Sequence, residues 1–303
     1  MVEAVLFERC EVNKRKIAIT VDVEDWFQVE NLRNVFPLSS WKQHLVRFKE
    51  PLNRLLDLFD KHKIECTFFV LGWIAERYPE TVLEIYRRGH EIASHGMTHR
   101  MNTAQTYYEM KVELIASKKL LEGLIEDQVV GYRAPSFSVT DELIRCLQET
   151  GYRYDSSYFP FHAHNRYGSV SPSLLRSTEQ NGFREFPIPM GSFMGKPLPF
   201  AGGAYFRVLP LWFLRRMFAR LNNSRVAVMY FHPWEFDHSQ PVVKSRLSLS
   251  GFRQYFGIRK NLSKLEKFIT FLKEEGCVFV RLRDELSFDN ETGEFLSESL
   301  AYE

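Results

Sequence analysis

Cysteine is scarce in this chain of 303 residues: four are present, Cys10, Cys66, Cys146 and Cys277, far apart and with no CxxC pair. Four scattered thiols in so long a chain build no disulfide framework, so free cysteines are expected. Long apolar runs are missing as well. The longest, Cys66 to Trp73 and Val226 to Phe231, are far too short to cross a bilayer. Met1 to Lys16 has no apolar stretch of signal-peptide length. The expectation is a cytoplasmic protein with no transmembrane segment, and the initiating Met1 argues against a signal removed before the numbering starts. An excess of either charge is lacking too: 40 Lys and Arg stand against 38 Asp and Glu, a formal net charge of +2. The basic residues are not massed into a stripe or tail, which removes the electrostatic case for nucleic acid. Internal repeats and low-complexity stretches are also absent.

Apolar and aromatic side chains are plentiful: 45% of the chain is hydrophobic, with 26 Phe, 13 Tyr and 5 Trp. A substantial core follows. Flat rings also suit stacking on sugar faces, but they suit an ordinary core equally well. Short apolar strands alternate with amphipathic helical segments, the α/β signature. Strands are expected at Lys16 to Val21, Glu65 to Leu71, His90 to Ser94, Gln128 to Tyr132, Tyr152 to Tyr154, Arg225 to Phe231 and Cys277 to Leu282. Helices are expected at Leu45 to His62, Pro79 to Arg88, Thr103 to Gly123 (capped by Asn102 or Thr103), Asp141 to Thr150, Leu209 to Leu221 and Asn261 to Glu275. From Phe159 to Tyr205 Pro and Gly are frequent and helical periodicity is lost, which reads as a long functional loop. The tail after Leu286 is acidic and polar. Strands alternating with helices suggest a parallel β/α barrel, whose functional residues sit at the C-terminal strand ends.

Four strand ends carry chemistry. The first strand runs into Asp22-Val23-Glu24-Asp25. Three carboxylates so close repel unless something positive sits among them. A metal ion would answer this, and a solvated acidic turn would answer it equally well. The third strand leads into Ser94-His95-Gly96-Met97-Thr98-His99. Histidines four apart can present both imidazoles to one ion; taken alone the pair is more often solvated, and its place on the same rim as Asp22 raises the ligand reading. His90, at the start of that strand, reads as structural. After the fourth strand comes Arg133-Ala134-Pro135-Ser136, where the Arg could orient a carboxylate and the Ser136 N–H could meet a developing oxyanion. The strand Arg225 to Tyr230 is followed by Phe231-His232-Pro233-Trp234-Glu235, which places a histidine as a general acid, although a satisfied core histidine is the commoner occurrence. Jointly the set can build a metal-assisted hydrolase.

The order of these motifs resembles the polysaccharide deacetylases of carbohydrate esterase family four, the NodB-homology group. The segments that carry the resemblance are Thr20-Val21-Asp22, Ser94-His95 with His99, Arg133-Ala134-Pro135, Tyr154-Asp155-Ser156-Ser157 and Tyr230-Phe231-His232, over about residues 16 to 235. Asp22 to Phe27, Arg166-Tyr167-Gly168, Gly202 to Arg207 and His232 to Phe236 look like the subgroup encoded beside bacterial exopolysaccharide and O-antigen assembly genes. The resemblance implies a distorted (β/α)7-type barrel with an additional C-terminal segment. On that basis residues 1–240 are expected to form the deacetylase domain, with a long insertion at about 159–205, and residues 241–303 a C-terminal extension packed on the same barrel. It departs from the family in one place: the second Asp of the family's first motif is here Val23, which cannot bind metal. Glu24, on the same side of an extended strand as Asp22, or Asp25, if the chain turns at Val23, must replace it.

What the resemblance implies about chemistry is specific. His95, His99 and one of Glu24 or Asp25 hold a divalent metal; Zn suits them, and Co, Ni, Mn or Fe are acceptable. Asp22 is the base, Arg133 orients it, His232 is the acid and Asp155 tunes His232. Pro135, Ser136, Arg166, Tyr205 and Trp234 are candidate substrate contacts. The substrate would be an N-acetylated amino sugar, lipid-linked or nucleotide-linked, in polysaccharide or lipopolysaccharide biosynthesis. An amidohydrolase acting on a small non-sugar amide and an inactive carbohydrate-binding homologue are the alternatives.

Overall fold

The computed structural model describes residues 14–161, 167–221, 225–243 and 249–286. Among these the elements run β1 (Lys16–Val23), α1 (Lys49–His62), β2 (Thr67–Val70), α2 (Gly72–Arg77), α3 (Pro79–Arg87), β3 (Glu91–Ser94), α4 (Tyr107–Ile125), β4 (Gly131–Tyr132), α5 (Asp141–Glu149) and β5 (Tyr154–Asp155). They continue with α6 (Pro172–Gln180), β6 (Arg184–Glu185), β7 (Met190–Phe193), β8 (Lys196–Pro199), α7 (Gly203–Val208), α8 (Leu211–Ala219), β9 (Ala227–Phe231), α9 (Leu249–Tyr255), α10 (Ile258–Glu274) and β10 (Val278–Phe279).

The strands β9-β1-β2-β3-β4-β5-β6 lie side by side, every pair parallel. The sheet curls into a barrel that stays open between its two ends, β6 and β9. This is the distorted (β/α) barrel expected from the alternation. β1 is its axis: seven of its eight residues are buried, with β9 on one flank along Ile17 to Val21 and β2 on the other from Thr20 onward. A strand buried on both faces reads as an unbroken apolar run, which is why it was legible. β10 pairs only with Lys16 and Ile17. The chain then passes the first residues of β2 and β3, where the Leu282 N–H donates to Thr67 Oγ1 and the Arg283 N–H to Glu91 Oε2. The last expected strand is therefore a closure of the barrel's N-terminal end. β6 completes the seven instead.

Three expectations are corrected. The long helix begins at Tyr107, not Thr103, because Thr106 and Glu109 form a reciprocal cap: the Glu109 N–H donates to Thr106 Oγ1 at 3.3 Å and the Thr106 N–H to the Glu109 carboxylate at 2.8 Å. The first helix begins at Lys49, four residues later than expected, since the N–H groups of Arg47 and Phe48 are bound by Asp25. The stretch 159–205 is not one loop. It contains α6, opened by Pro172 at a position where proline suits a helix, the short β6, and the antiparallel hairpin β7–β8. Met194 and Gly195 turn the hairpin with φ of 52° and 75°, the conformation that matches strand twist in a two-residue turn.

Candidate active site

Parallel pairing sets the C-terminal ends of β1, β3, β4 and β9 on one rim. There they enclose a cleft of about 110 Å³ whose walls include Asp22, Glu24, His95, His99, Ser136, His232 and Trp234. Asp22, on β1, and Glu24, just past its end, both face this cleft. Ligand atoms of Glu24, His95 and His99 lie within 4.8 Å of one another, and all three residues are buried. His99 Nε2 is 2.9 Å from Glu24 Oε2. His95 Nδ1 meets the Arg133 carbonyl at 2.8 Å, which fixes its tautomer and leaves Nε2 bare. Burial lowers the His95 pKa to about 4, keeping the ring neutral. Burial works against the Glu24 carboxylate, but the nearby histidines, His99 foremost, hold it at about 2.

Asp25, the other carboxylate considered for the metal, is turned away. Its oxygens accept backbone N–H groups of Trp26, Arg47 and Phe48, and burial raises its pKa to about 6. It ties the β1 exit to the start of α1. β1 ends at Val23, where the Glu24 N–H donates to the Asp22 carbonyl at 3.0 Å in a tight turn, and it is Glu24, not Asp25, that this turn brings to the histidines.

Behind Asp22 stands Arg133, fully buried, donating to Asp22 Oδ1 at 2.7 Å, Thr20 Oγ1 at 2.6 Å and Ser156. One Asp22 oxygen is thereby fixed, and the other lies 3.7 Å from His232 Nε2. Ser136 and Phe137 follow Pro135 with φ of 54° and 59°. Two consecutive left-handed non-glycine residues store strain, here on the wall of the cleft.

The His232 ring stacks on Trp234 at 5.1 Å, and the Trp234 indole N–H donates to Glu24 Oε1 at 3.2 Å. His232 Nδ1 is 3.1 Å from Glu235 Oε2, and Glu235 Oε1 is held at 3.0 Å by Arg207, which is also buried. Burial would depress the imidazole, but the bond to Glu235 and the charges of Glu24 and Asp22 outweigh it and raise it to about 9. Glu235 and Arg207 are the residues the sequence reading passed over as contributors to the site. A signal was available: Glu235 stands three residues after His232, the spacing of a capping pair, and its carboxylate accepts the His232 N–H at 3.1 Å.

Asp155, expected beside His232, is elsewhere. It lies in register with Glu185 on β6, and register partners share a face of the sheet. Its carboxyl accepts from Ser157 at 2.5 Å and shares its buried surroundings with the Glu185 carboxyl. Burial raises Asp155 to about 6 and Glu185 well above the carboxylate range. Tyr205 packs 6.3 Å from Phe161, under the Arg253 guanidinium, and Pro135 is buried behind Ser136. Arg166 lies outside the described residues.

Residues 11–154 match the family described as polysaccharide deacetylase, and residues 156–283 match a family described only as a domain of unknown function (DUF3473). Asp22, His95, His99 and Arg133 thus fall in one match and His232 in the other. A peptidoglycan-N-acetylglucosamine deacetylase of Bacillus cereus is 28% identical over 33% of this chain and 46% of its own length. A peptidoglycan deacetylase of Helicobacter pylori is 32% identical over 34% and 36%, and a chitooligosaccharide deacetylase of Sinorhizobium fredii 28% over 32% and 46%. The chain spans less than half the length of these relatives. Among solved structures, a candidate polysaccharide deacetylase from Mycobacterium smegmatis superposes with a TM-score of 0.57 at 20% identity, covering 91% of this chain and 90% of that one. A pseudoenzyme of carbohydrate esterase family four from Bacillus anthracis gives 0.53 at 15%, covering 90% and 66%. At these identities the superpositions speak for the fold alone. The barrel has the NodB-like fold of these structures. Residues 11–154, a little under half of the chain, are similar to the polysaccharide deacetylase family.

Proposed function

We propose that the protein is a metal-dependent N-deacetylase acting on an N-acetylated amino sugar in polysaccharide or lipopolysaccharide assembly. What supports the reading is one observation above the rest: Glu24, His95 and His99 converge in the same cleft as an Asp22–Arg133 pair and a His232–Glu235 pair. The relatives named for peptidoglycan and chitooligosaccharide deacetylation point to the acetamido group as the target. The donor set fits a divalent cation, zinc first: a neutral imidazole with its far nitrogen tied to a carbonyl, a second imidazole, and an anionic carboxylate. Bound there, the cation supplies Lewis acidity toward the acyl oxygen and toward water.

The chain's own residues supply the rest. Asp22 takes the proton from water through the oxygen Arg133 leaves unheld. The Ser136 N–H is aimed at the oxyanion. His232, kept charged by Glu235, gives a proton from Nε2 to the departing amine. Trp234 offers a flat face for the sugar beside that ring. We further propose that residues 1–240 and 241–303 fold as one unit.

The test is a comparison of three preparations on N-acetylated oligosaccharides, with metal content measured in parallel. Asp22→Asn should lose turnover by roughly 10²–10⁴-fold while keeping its metal. His232→Ala should do the same and lose the alkaline fall in rate. His95→Ala should lose metal and turnover together. Full activity in the first two would end the proton-transfer assignment and leave a binding site.

A further inference from the structure

Away from the cleft the molecule exposes a cluster of large apolar side chains at the tip of the β7–β8 hairpin and the start of α8. Phe193 is 53% exposed, Met194 87%, Trp212 67% and Val208 41%. Phe193 and Trp212 both meet the ring of Phe213 edge-on at 5.6 Å, so hairpin and helix present one continuous patch. Large aromatics and a methionine held out into water signal an interaction surface.

The charge around the patch has one sign. From Phe186 to Trp234 the sequence contains no Asp or Glu, while Lys196, Arg215, Arg216 and Arg220 fall within it. Arg216 and Arg220 follow Trp212 at four-residue intervals and are exposed like it, so they share its face of the helix. Of the elements packed on α8, β7 carries no charged residue, and α10 brings Glu266, already paired with Lys61, and Glu274 in its last turn.

We propose that this patch seats the protein on an anionic lipid surface. Phe193, Met194 and Trp212 would enter the headgroup layer, while Lys196, Arg216 and Arg220 meet lipid phosphates. No described helix is long and apolar enough to cross a membrane, and the attachment proposed here is a peripheral one. The patch adjoins the cleft. The hairpin leaves the sheet beyond the C-terminal end of β6, on the catalytic rim. α7 runs from Gly203, in the cleft wall, to Val208, at the edge of the patch. Docked this way, the cleft opens beside the lipid surface, and its natural substrate is a glycan carried on a lipid. That last step rests on the deacetylase reading; the docking does not.

Flotation of the full chain with vesicles tests it. Vesicles of phosphatidylcholine containing phosphatidylglycerol should carry the wild type, and pure phosphatidylcholine vesicles or high salt should release it. Phe193→Glu with Trp212→Glu should reduce bound protein by roughly tenfold, and Arg216→Glu with Arg220→Glu should do likewise, with circular dichroism unchanged. Because a variant can fail to fold, lipids carrying bromine near the headgroups are added to the wild type. They should quench a fluorescence component that Trp212→Phe removes. The proposal fails if the wild type does not float with anionic vesicles, or floats equally after the substitutions. It also fails if the wild type is a dimer that the Glu substitutions make monomeric, with no flotation. In that case the patch seats a second copy.

Discussion

At the scale of single residues, the cleft is governed by second partners. Trp234 stacks its ring on His232 and reaches Glu24 with its N–H. Trp234→Phe keeps the ring and removes the hydrogen bond. Metal affinity should fall about 10–100-fold with little change in melting temperature, read by competition with a chelator. An unchanged affinity would mean the indole N–H does not hold Glu24. His90 is the opposite case, a histidine with no place in the cleft. Its Nδ1 accepts the Cys66 N–H at 3.2 Å, and burial lowers its pKa from 6.5 to about 4. The folded state holds the neutral ring, so its contribution is complete above pH 6.5 and is lost as the pH falls toward 4. Between pH 6.5 and 5 the protein should lose roughly 2 kcal/mol of stability to this group. His90→Asn, which can still accept the Cys66 N–H, should remove that part of the acid sensitivity in denaturant titrations at the two pH values. His90, just before β3, is packed in the core, whereas His95 and His99, past the strand's end, line the cleft.

At the scale of elements, α7 is docked by glycine. A Cβ at Gly202 would stand 2.1 Å from the Tyr230 carbonyl oxygen, and Gly203, at φ +55°, lies against the Tyr230 ring. These contacts press the cleft wall onto β9 just before His232. Gly202→Ala should force the two apart, costing about 1–3 kcal/mol. Turnover should fall more than metal binding, because the proposed metal ligands Glu24, His95 and His99 lie just past β1 and β3. Gly195, in the hairpin turn, has open space around its Cβ position, and its φ of 75° sets the only penalty. Gly195→Ala should therefore lower the melting temperature slightly and leave turnover unchanged. Equal effects of the two substitutions on turnover would argue that α7 does not shape the cleft.

At the scale of the whole molecule, the two family matches meet at Asp155, within β5, and the residues lining the cleft come from both. Asp22, His95 and His99 precede the junction; His232, Glu235 and Arg207 follow it. β9 is hydrogen-bonded along five residues of β1, and α10 and β10 close the far side. Near β10, Glu91 is buried and accepts from Thr67, Tyr154 and the Arg283 N–H. A chain ending at Gln240 would take the Arg283 N–H from Glu91, β10 from the start of β1 and α10 from the barrel wall, and unsatisfied buried groups are costly. Such a chain should show no cooperative melt, whereas the full chain should unfold in one transition. A cooperative, folded 1–240 fragment would separate the extension from the barrel.

The sequence by itself determined the parallel barrel and pointed to Asp22, His95, His99, Arg133 and His232 at its strand ends, because apolar strands and the turn after each are local patterns. Between Glu24 and Asp25 it left the choice open, and the structure brings Glu24 to the two histidines. Tertiary structure alone decided the partners. Asp155 faces Glu185 because β5 and β6 are neighbours in register, and Glu235 replaces it beside His232 because Arg207, from the segment after β8, arrives to balance its charge. Which carboxylate meets which imidazole depends on strand order and on helices packed from distant segments, and no periodicity along the chain encodes that.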